Sequence, residues 1–373
     1  MDPFNNTMFG NLKILNWNAN GLKTQKPLFA AFLVRHNIDI ACVTESHLIP
    51  SERFNISGYS TYREDRVAPI ASGGVAIFIK KKLDHHSLFL PQLFNIEATA
   101  IKVKLRNGTC CNILCAYKSP NRRIMLNDFL SLFSFNSPTI LVGDLNCKHQ
   151  LWGCRVTNPN GSRLLNFING SNVNISAPDE PTFHPWQYNS LPDILDIVLH
   201  ENLNAPIFQQ VLPELNSDHL PVVLSFLFKP QLTSEPQRLI TGKVDWDTFQ
   251  KKFDDILKAP VCLNSSELIE SAVEHFTSCL CIATRHATYK QFRKPNNKFL
   301  HPPTRILDLI KSKHVARRQW QRLRQPWMKR RLNDLTRQVK RELDEYRIIS
   351  YKSYLANIDQ NDSSLWQATK RVL

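Results

Sequence analysis

The 373-residue sequence lacks the marks of a secreted or membrane protein. Its first residues, Met1 to Asn6, carry neither a basic segment nor an apolar core, so we expect no secretory signal. No apolar run approaches the length of a membrane-spanning helix, and Val222 to Phe228 is only strand-sized. We therefore expect an intracellular protein that has no membrane partner.

The nine cysteines form neither a disulfide framework nor a zinc site. They are odd in number and scattered through apolar segments, as Cys42 and Cys115 are, which is typical of buried, reduced thiols. Cys147, His149 and Cys154 lie close in sequence, but no second cysteine pair has the spacing of a zinc finger. We exclude a structural zinc site there.

The chain also has no internal repeats and no Tyr-x-Asp-Asp polymerase signature, so no polymerase activity is predicted. Its apolar content of 42% and aromatic content of 10% are those of a globular protein. The length is sufficient for one large core and a second, smaller unit.

Positive charge is concentrated late in the chain. Residues 1–228 hold 19 Lys and Arg against 17 Asp and Glu, whereas residues 305–347 hold 14 against 5, a net charge of +9. A solvated helix face is the usual explanation of a charge run. The excess of one sign favours attraction of a polyanion instead, because binding releases its counterions.

Five short segments share one layout, in which an apolar strand carries polar residues at or near its end. Thr139 to Val142 leads into Gly143, Asp144 and Asn146, and an isolated carboxylate, Asp196, lies in an otherwise apolar strand. The other three segments are Leu15–Gly21, Ala41–Ser46 and Ser217–Val222. Carboxylates such as Glu45, Asp144 and Asp218 that converge with one histidine suit a Mg²⁺ site that handles a phosphate.

Each segment alone has an ordinary explanation. Asp144 and Asn146 could form a turn, Glu45 could begin a helix, and Asp196 could be a structural acid. Asp218 and His219 could belong to an ordinary loop. The five segments together, each at a strand end, favour catalysis.

The pattern of apolar residues predicts two sheets flanked by helices, in a four-layer α/β sandwich with its site at the loop rim. Helices are predicted at Pro27–His36, Met125–Phe133 and Ser162–Asn169. The predicted strands are Leu12–Trp17, Ile38–Thr44, Val75–Lys80, Glu97–Lys104, Asn112–Tyr117, Thr139–Gly143, Ile194–Leu199 and Pro221–Phe228.

A break follows Phe228. We predict a domain over residues 10–228, a linker over 229–243 with two prolines, and a mainly helical basic extension over 244–373. In this extension one helix opens at Asp245, a second spans about Ser266 to His286 with Leu268, Ala272, Phe276 and Leu280 inward, and residues 290–303 are extended. A last long helix starts near Pro303 and is interrupted at Pro326.

The ordered motifs resemble the endonuclease/exonuclease/phosphatase family over about residues 10–228. They are Asn18–Leu22, Thr44–Leu48, Gly143–Asn146 followed by Trp152-Gly153, Pro192–Asp196 and Ser217–Val222. Within this family, whose fold is that of deoxyribonuclease I, they are similar to the endonuclease domain of jockey-like non-LTR retrotransposon polyproteins. Those polyproteins continue into a reverse transcriptase, which this chain would precede.

The resemblance implies roles for individual residues. Glu45 would hold Mg²⁺ (or Mn²⁺) with Asp218 assisting, and Asp144 would orient and activate the attacking water. Tyr117 matches a tyrosine that touches the phosphate. Asn20 replaces an acidic metal ligand of the repair nucleases, and its amide oxygen can still coordinate a cation.

The chemistry of the side chains adds further roles. Asn18 and Asn146 can donate amide hydrogen bonds to phosphate oxygens. His219 would contact the phosphate or share the proton transfer, held by Asp196 on its other ring nitrogen. Arg122 and Arg123 could follow the DNA backbone or form a solvated loop. The aromatic cluster of His184, Trp186 and Tyr188 could enter a groove or pack on itself.

The predicted function is nicking of double-stranded target DNA to expose a 3′-hydroxyl for priming, with element RNA bound by the basic extension and no organic cofactor. Synthesis in the cytoplasm and action in the nucleus are expected. The alternatives are an inactive nucleic-acid-binding remnant of a mobile element and an abasic-site repair nuclease. A phosphatase or sphingomyelinase is disfavoured by the extension after residue 228.

Overall fold

The computed structural model describes residues 12–68, 71–187, 190–203, 205–233, 243–257, 264–289, 302–356, 358, 365–366 and 369. Its fourteen strands are β1 Leu12–Asn18, β2 Ile40–Thr44, β3 Tyr59–Glu64, β4 Val75–Lys80, β5 His85–Leu88, β6 Glu97–Lys104, β7 Cys110–Tyr117, β8 Thr139–Asp144, β9 Asn174–Ser176, β10 Asp196–Glu201, β11 Ile207–Val211, β12 Val222–Phe226, β13 Lys243–Val244 and β14 Thr288–Tyr289. The helices are α1 Lys26–Arg35, α2 Leu126–Leu132, α3 Pro159–Asn169, α4 Trp246–Ile256, α5 Ser266–Ala287, α6 Thr304–Leu323 and α7 Pro326–Ala356.

Twelve strands form two mixed sheets of six. The first sheet has the order β11-β12-β1-β2-β4-β3, and the second has the order β5-β6-β7-β8-β10-β9. Every strand predicted from the sequence is present. In these two sheets the four strands that the sequence did not predict, β3, β5, β9 and β11, are the four edge strands, where polar residues obscure the alternating pattern.

Three apolar clusters define the layers. One fills the space between the sheets, with Ile14 and Ile77 from the first and Ile113 and Val142 from the second. Another packs α2 and α3 on the outer face of the second sheet. The third packs α1, α6 and α7 on the outer face of the first sheet. The predicted four-layer α/β sandwich is therefore confirmed.

The chain divides differently from the predicted domains. One compact unit comprises residues 1–232 together with 299–373, and the other comprises residues 233–298. The basic extension is thus split, because Ile306, Ile310, Val339 and Leu343 of α6 and α7 are buried in the cluster that contains α1. Residues 10–228 therefore share an apolar cluster with α6 and α7 at this face.

The predicted linker also differs. Residues 229–231 pair with the β-structure, since Arg106 donates to the carbonyl of Lys229 and Gln231 donates to the carbonyl of Lys104, at 3.0 and 2.8 Å. Residues 234–242 of the linker and the 290–301 part of the segment predicted as extended lie outside the described residues. The helix interruption at Pro326 is confirmed, with Arg324 in the left-handed region between α6 and α7.

The smaller unit contains α4, α5 and the short β13–β14 pair. Asp245 caps α4 as predicted, accepting bonds from the amides of Asp247 and Thr248. The predicted inward face of α5 is only partly right. Leu268 and Phe276 are both 46% exposed, whereas Ala272 and Leu280 are partly buried, and Phe276 packs edge-on against Phe253 of α4. Cys279, Ala283 and Ala287 are buried instead.

The eight cysteines that the structure describes are unpaired, and six of them are buried. This agrees with the predicted reduced thiols. Among the described residues no helix combines the length and apolar character needed to cross a membrane.

Candidate active site

Sheet topology brings the predicted polar residues to one rim. β1 and β2 are parallel with Asn18 opposite Thr44, so Asn18 and the following Glu45 leave the first sheet together. In the second sheet β7 and β8 are parallel with Tyr117 opposite Asp144, and antiparallel β10 begins with Asp196 opposite Asp144. β12 runs antiparallel to β1, so the loop with Asp218 and His219 enters at the same rim.

Asn18 links the two sheets. Its side-chain nitrogen donates to Oε1 of Glu45 and to Oδ2 of Asp144, each at 2.9 Å. An amide NH₂ has two hydrogens, so both are used by carboxylates. Asn18 therefore bridges Glu45 and Asp144, and the predicted donation of Asn18 to a phosphate does not match this geometry.

Asp144, His219 and Asp196 form a buried charged chain. Nδ1 of His219 lies 2.8 Å from Oδ2 of Asp196, and its Nε2 lies 3.7 Å from Oδ2 of Asp144. All three are at most 4% exposed. Thr182 fixes the start of β10 by accepting the amide hydrogens of Leu195 and Asp196. The predicted support of His219 by Asp196 is thus present.

The buried chain shifts the protonation of its members. Burial raises the pKa of Asp144 to about 7, although the His219 charge and the bond from Asn18 act in the opposite direction. Burial alone would lower the pKa of His219, but the carboxylates of Asp196, Asp144 and Asp218 raise it to about 10. His219 is therefore a cation at neutral pH, and Asp144 can exchange a proton there.

Glu45 is an ionised carboxylate of the rim. Burial disfavours its charge, but hydrogen bonds from His47, Asn18 and Tyr117 hold its pKa at about 2. Nε2 of His47 lies 3.4 Å from its Oε2, and its side chain is 22% exposed. The backbone at Glu45 is left-handed, with φ 48°, an uncommon conformation for glutamate that directs the side chain away from the strand.

Asn20 and Asp218 make a second polar corner. Nδ2 of the Asn20 side chain donates to Oδ1 of Asp218 at 3.2 Å, and the backbone nitrogen of Asn20 donates to Oδ1 of Asn18 at 3.0 Å. Asn20 also has positive φ, 44°, which asparagine tolerates. All three predicted metal residues, Glu45, Asn20 and Asp218, therefore belong to one hydrogen-bonded network.

The donor set fits a hard cation that keeps much of its water. In the described part of the chain no three His, Cys, Asp or Glu side chains form a metal-sized cage. Mg²⁺ is usually bound by one or two carboxylates together with water and substrate phosphates. An ionised Glu45 with Asp218 and the side-chain amide of Asn20 nearby meets that requirement.

Asn146 and Tyr117 are anchored by their own neighbours. The side-chain nitrogen of Asn146 donates to the backbone carbonyl of Lys118 at 3.1 Å, and the backbone nitrogen of Asn146 donates to Oδ1 of Asp144 at 3.0 Å. One hydrogen of the Asn146 side chain remains for a ligand. Burial, together with Glu45, raises the pKa of Tyr117, so its phenol stays a donor.

Arg122 and Arg123 are not part of this network. Both are exposed, and Nη1 of Arg122 reaches the carbonyl of Phe94 at 3.4 Å. In the predicted aromatic cluster, Trp186 stacks on Trp320 of α6, and His184 is half-buried. Tyr188 lies outside the described residues.

Sequence reasoning missed several contributors. His47 was visible inside the Thr-Glu-Ser-His motif, two residues after Glu45. Lys118 is fully buried, and its Nζ donates to the carbonyls of Ser119 and Arg122 at 2.9 and 3.1 Å, which fixes the turn after β7. Arg317, on α6, contacts the loop before Asp218 and carries no motif that could have identified it.

A family model for the Endonuclease/Exonuclease/phosphatase family matches residues 15–219, more than half of the chain. The chain belongs to this family. The match begins within β1 and ends at His219, so it contains every rim residue described above. Residues of α6 and α7 lie outside the family match.

Curated relatives extend the similarity beyond the family domain. The chain is 29% identical to the probable RNA-directed DNA polymerase from transposon X-element of Drosophila melanogaster, over 97% of this chain and 40% of that protein. It is 27% identical to the RNA-directed DNA polymerase from mobile element jockey of the same species, over 96% and 40%. The chain thus spans about 40% of the length of these relatives.

Solved structures of the same fold were also found. The endonuclease domain of TRAS1, a telomere-specific non-LTR retrotransposon, has 19% identity and a TM-score of 0.48, covering 58% of this chain and 98% of that one. The Xenopus laevis APE2 catalytic domain has 18% identity and a TM-score of 0.45, covering 60% and 94%.

Proposed function

We propose that this endonuclease/exonuclease/phosphatase-family protein is a Mg²⁺-dependent DNA endonuclease of a non-LTR retrotransposon. It would nick one strand of duplex target DNA by phosphodiester hydrolysis and leave a 3′-hydroxyl for target-primed reverse transcription. The observation that carries the proposal is the buried Asp144–His219–Asp196 chain beside the ionised Glu45. The transposon relatives support the biological role.

The chain's own residues divide the work. Asp144, with its raised pKa, accepts a proton from the attacking water. The His219 cation, held by Asp196, neutralises charge on the phosphate or protonates the departing oxygen. Asn18 keeps Glu45 and Asp144 in register across the two sheets, and the free amide hydrogen of Asn146 faces substrate.

Glu45, with Asp218 and Asn20, would hold the cation. When bound, Mg²⁺ would polarise a phosphate oxygen and stabilise the negative charge that develops during hydrolysis. The Tyr117 phenol donates to Glu45 and so keeps that carboxylate ionised and oriented.

A plasmid-nicking assay tests the proposal. Supercoiled DNA should convert to the nicked circle with Mg²⁺, and a chelator should stop the reaction. A polymerase should extend the nick, which requires a 3′-hydroxyl. A duplex with an abasic site serves as the competing substrate: strong preference for it would favour a repair nuclease, and no cleavage of either DNA would favour an inactive binding remnant.

Glu45→Gln should raise the Mg²⁺ concentration for half-maximal nicking by about tenfold or more, because a neutral amide replaces the anionic ligand. Glu52→Gln is the control, since Glu52 pairs with Lys23 away from the network. The rate at saturating Mg²⁺ should largely recover in Glu45→Gln. An unchanged Mg²⁺ titration would remove Glu45 from the cation site.

Nicking should show a bell-shaped pH dependence. The rate rises with pH as Asp144, whose pKa is raised to about 7, loses its proton, and it falls as His219 loses its proton near pH 10. Asp196→Asn removes the charge that raises the pKa of His219, so the alkaline limb should move to lower pH. A kcat/KM profile whose alkaline limb does not move in Asp196→Asn contradicts this assignment.

We also propose that exposed basic residues of α6 and α7 bind element RNA, and that the protein is made in the cytoplasm and acts in the nucleus. The support is the +9 charge of residues 305–347. Lys313 and Arg317 are buried and do not contribute to such a surface. RNA binding should weaken steeply with salt, and a salt-independent affinity would remove these helices from the binding surface.

A further inference from the structure

Side chains of helix α6 hydrogen-bond to the loop that precedes Asp218 and His219. Arg317 is only 3% exposed, and its Nη1 donates to the carbonyls of Glu214 and Leu215 at 2.8 and 2.5 Å. Its Nη2 donates to the carbonyl of Ser217. One guanidinium thus donates to three backbone carbonyls within four residues of the loop, and its planar, forked donors suit that arrangement better than the ammonium group of a lysine.

Lys313 adds a contact one helical turn earlier. Its side chain is fully buried, and Nζ donates to Oδ1 of Asn216 at 3.1 Å. The loop needs this support because Leu215 is held in the left-handed region at φ 54°, which is costly for a leucine. Burial of this amine, which lowers the pKa of Lys313 to about 7, carries a desolvation cost that the bond to Asn216 partly offsets.

The loop transmits the contact to the site residues. Oγ of Ser217 accepts the amide hydrogen of His219 at 3.1 Å and lies 3.2 Å from Oδ1 of Asp218. The carbonyl of the same serine is the one that Nη2 of Arg317 holds. A shift of Ser217 would therefore move both site residues.

The α6–α7 turn reaches Asp218 by a second route. Arg324 donates to the carbonyl of Pro185 at 2.9 Å, and Trp320 stacks on Trp186 with ring centroids 5.4 Å apart. Lys329 lies 3.4 Å from the Trp186 ring centroid. This loop in turn holds the site, because the amide of His184 donates to the carbonyl of Asp218 at 2.7 Å.

We propose that α6 is a positioning element of the nuclease, in which Arg317 and Lys313 fix the loop that presents Asp218 and His219 to substrate. The family match ends at His219, so the helix that completes the site comes from a segment about 85 residues later in the chain. The kinetic consequence of this inference rests on the proposed nuclease function. The contacts of Arg317 and Lys313 with the loop, which we call the clamp, are a property of the fold.

The test uses the full chain with Arg317→Met, Arg317→Lys and Lys313→Met, and with Arg318→Met as the matched control. Arg318 is the exposed neighbour on the same helix and loses the same charge. Nicking kinetics give kcat and KM. Hydrogen exchange reports the amides of Asn216 and His219, which are bonded to Gln25 and Ser217.

Arg317→Met should lower kcat by about tenfold to a hundredfold, because small misplacements of catalytic groups have effects of that size. KM should change by less than about twofold, and the two amides should exchange faster. Arg317→Lys should fall between wild type and Arg317→Met. Arg318→Met should leave kcat and the exchange of both amides as in wild type, because this side chain is exposed.

Folded Arg317→Met with wild-type kcat overturns the positioning role while the nuclease function stands. If the wild-type chain does not nick DNA at all, the proposed function fails, and the exchange measurement still decides the clamp: unchanged exchange at Asn216 and His219 overturns it. If Arg317→Met does not fold, Lys313→Met carries the same readouts, since methionine fills the buried space without the charge. Wild-type kcat and exchange in that variant would then overturn the proposal.

Discussion

Asp144→Ala and His219→Ala should each abolish nicking, with rates about a hundredfold to ten-thousandfold lower, while DNA binding stays nearly intact. Both side chains are buried at the rim and are bonded mainly to other site residues, so they offer DNA little contact area. Their work is proton transfer and charge neutralisation in the transition state, which affects kcat more than affinity. Single-turnover nicking and DNA-binding anisotropy measure the two quantities separately.

Asp179→Ala and His86→Ala are the matched controls, because both residues are exposed and neither belongs to the rim. Thermal unfolding must accompany the kinetics, since Asp144→Ala leaves the His219 charge with one partner fewer. A folded Asp144→Ala or His219→Ala protein that nicks at the wild-type rate would show that the assignment is wrong.

The residues of the rim could be predicted because each one is marked by its own neighbours in the sequence. Asp144 ends a strand whose residues are all buried, Asn18 ends another, and Glu45 directly follows a third. Strands that carry polar residues at matching ends bring those residues together. The bond from Asn18 to both carboxylates was not predictable, because it depends on the separation of the two sheets. That separation is set by the side chains packed between them.

The role of α6 could not be predicted, because charge counting treats every Arg alike. Arg317 and Arg318 are neighbours in one basic run, yet the first is buried against carbonyls about 100 residues away and the second is exposed. Amphipathic periodicity was only partly right on α5, where the bulky Phe276 packs against Phe253 and yet stays half-exposed. The spacing of apolar residues predicts that a helix forms, but the element that packs against the helix determines which of its faces is buried.

Deletion of all residues after Leu232 should give an unstable, poorly soluble protein, although the sequence predicts a separate domain that ends at residue 228. Ile306, Ile310, Val339 and Leu343 would be lost from the cluster on the outer face of the first sheet. Each buried aliphatic side chain contributes roughly 1.5–3 kcal/mol, so four are comparable with the stability of a whole domain, about 5–15 kcal/mol. The deletion also exposes the apolar surface that these helices cover.

Two substitutions in α7 test the same packing without removing any chain. Val339 is 1% exposed and Ile349 is 65% exposed, so Val339→Asp buries an unpaired charge and Ile349→Asp does not. We expect Val339→Asp to lower the free energy of unfolding by more than about 3 kcal/mol and Ile349→Asp to change it by less than about 0.5 kcal/mol. Denaturant unfolding measures both. A soluble fragment ending at Leu232 with the full chain's unfolding midpoint and nicking rate would show that the outer helices are dispensable, and it would also remove the basis for the positioning role of α6.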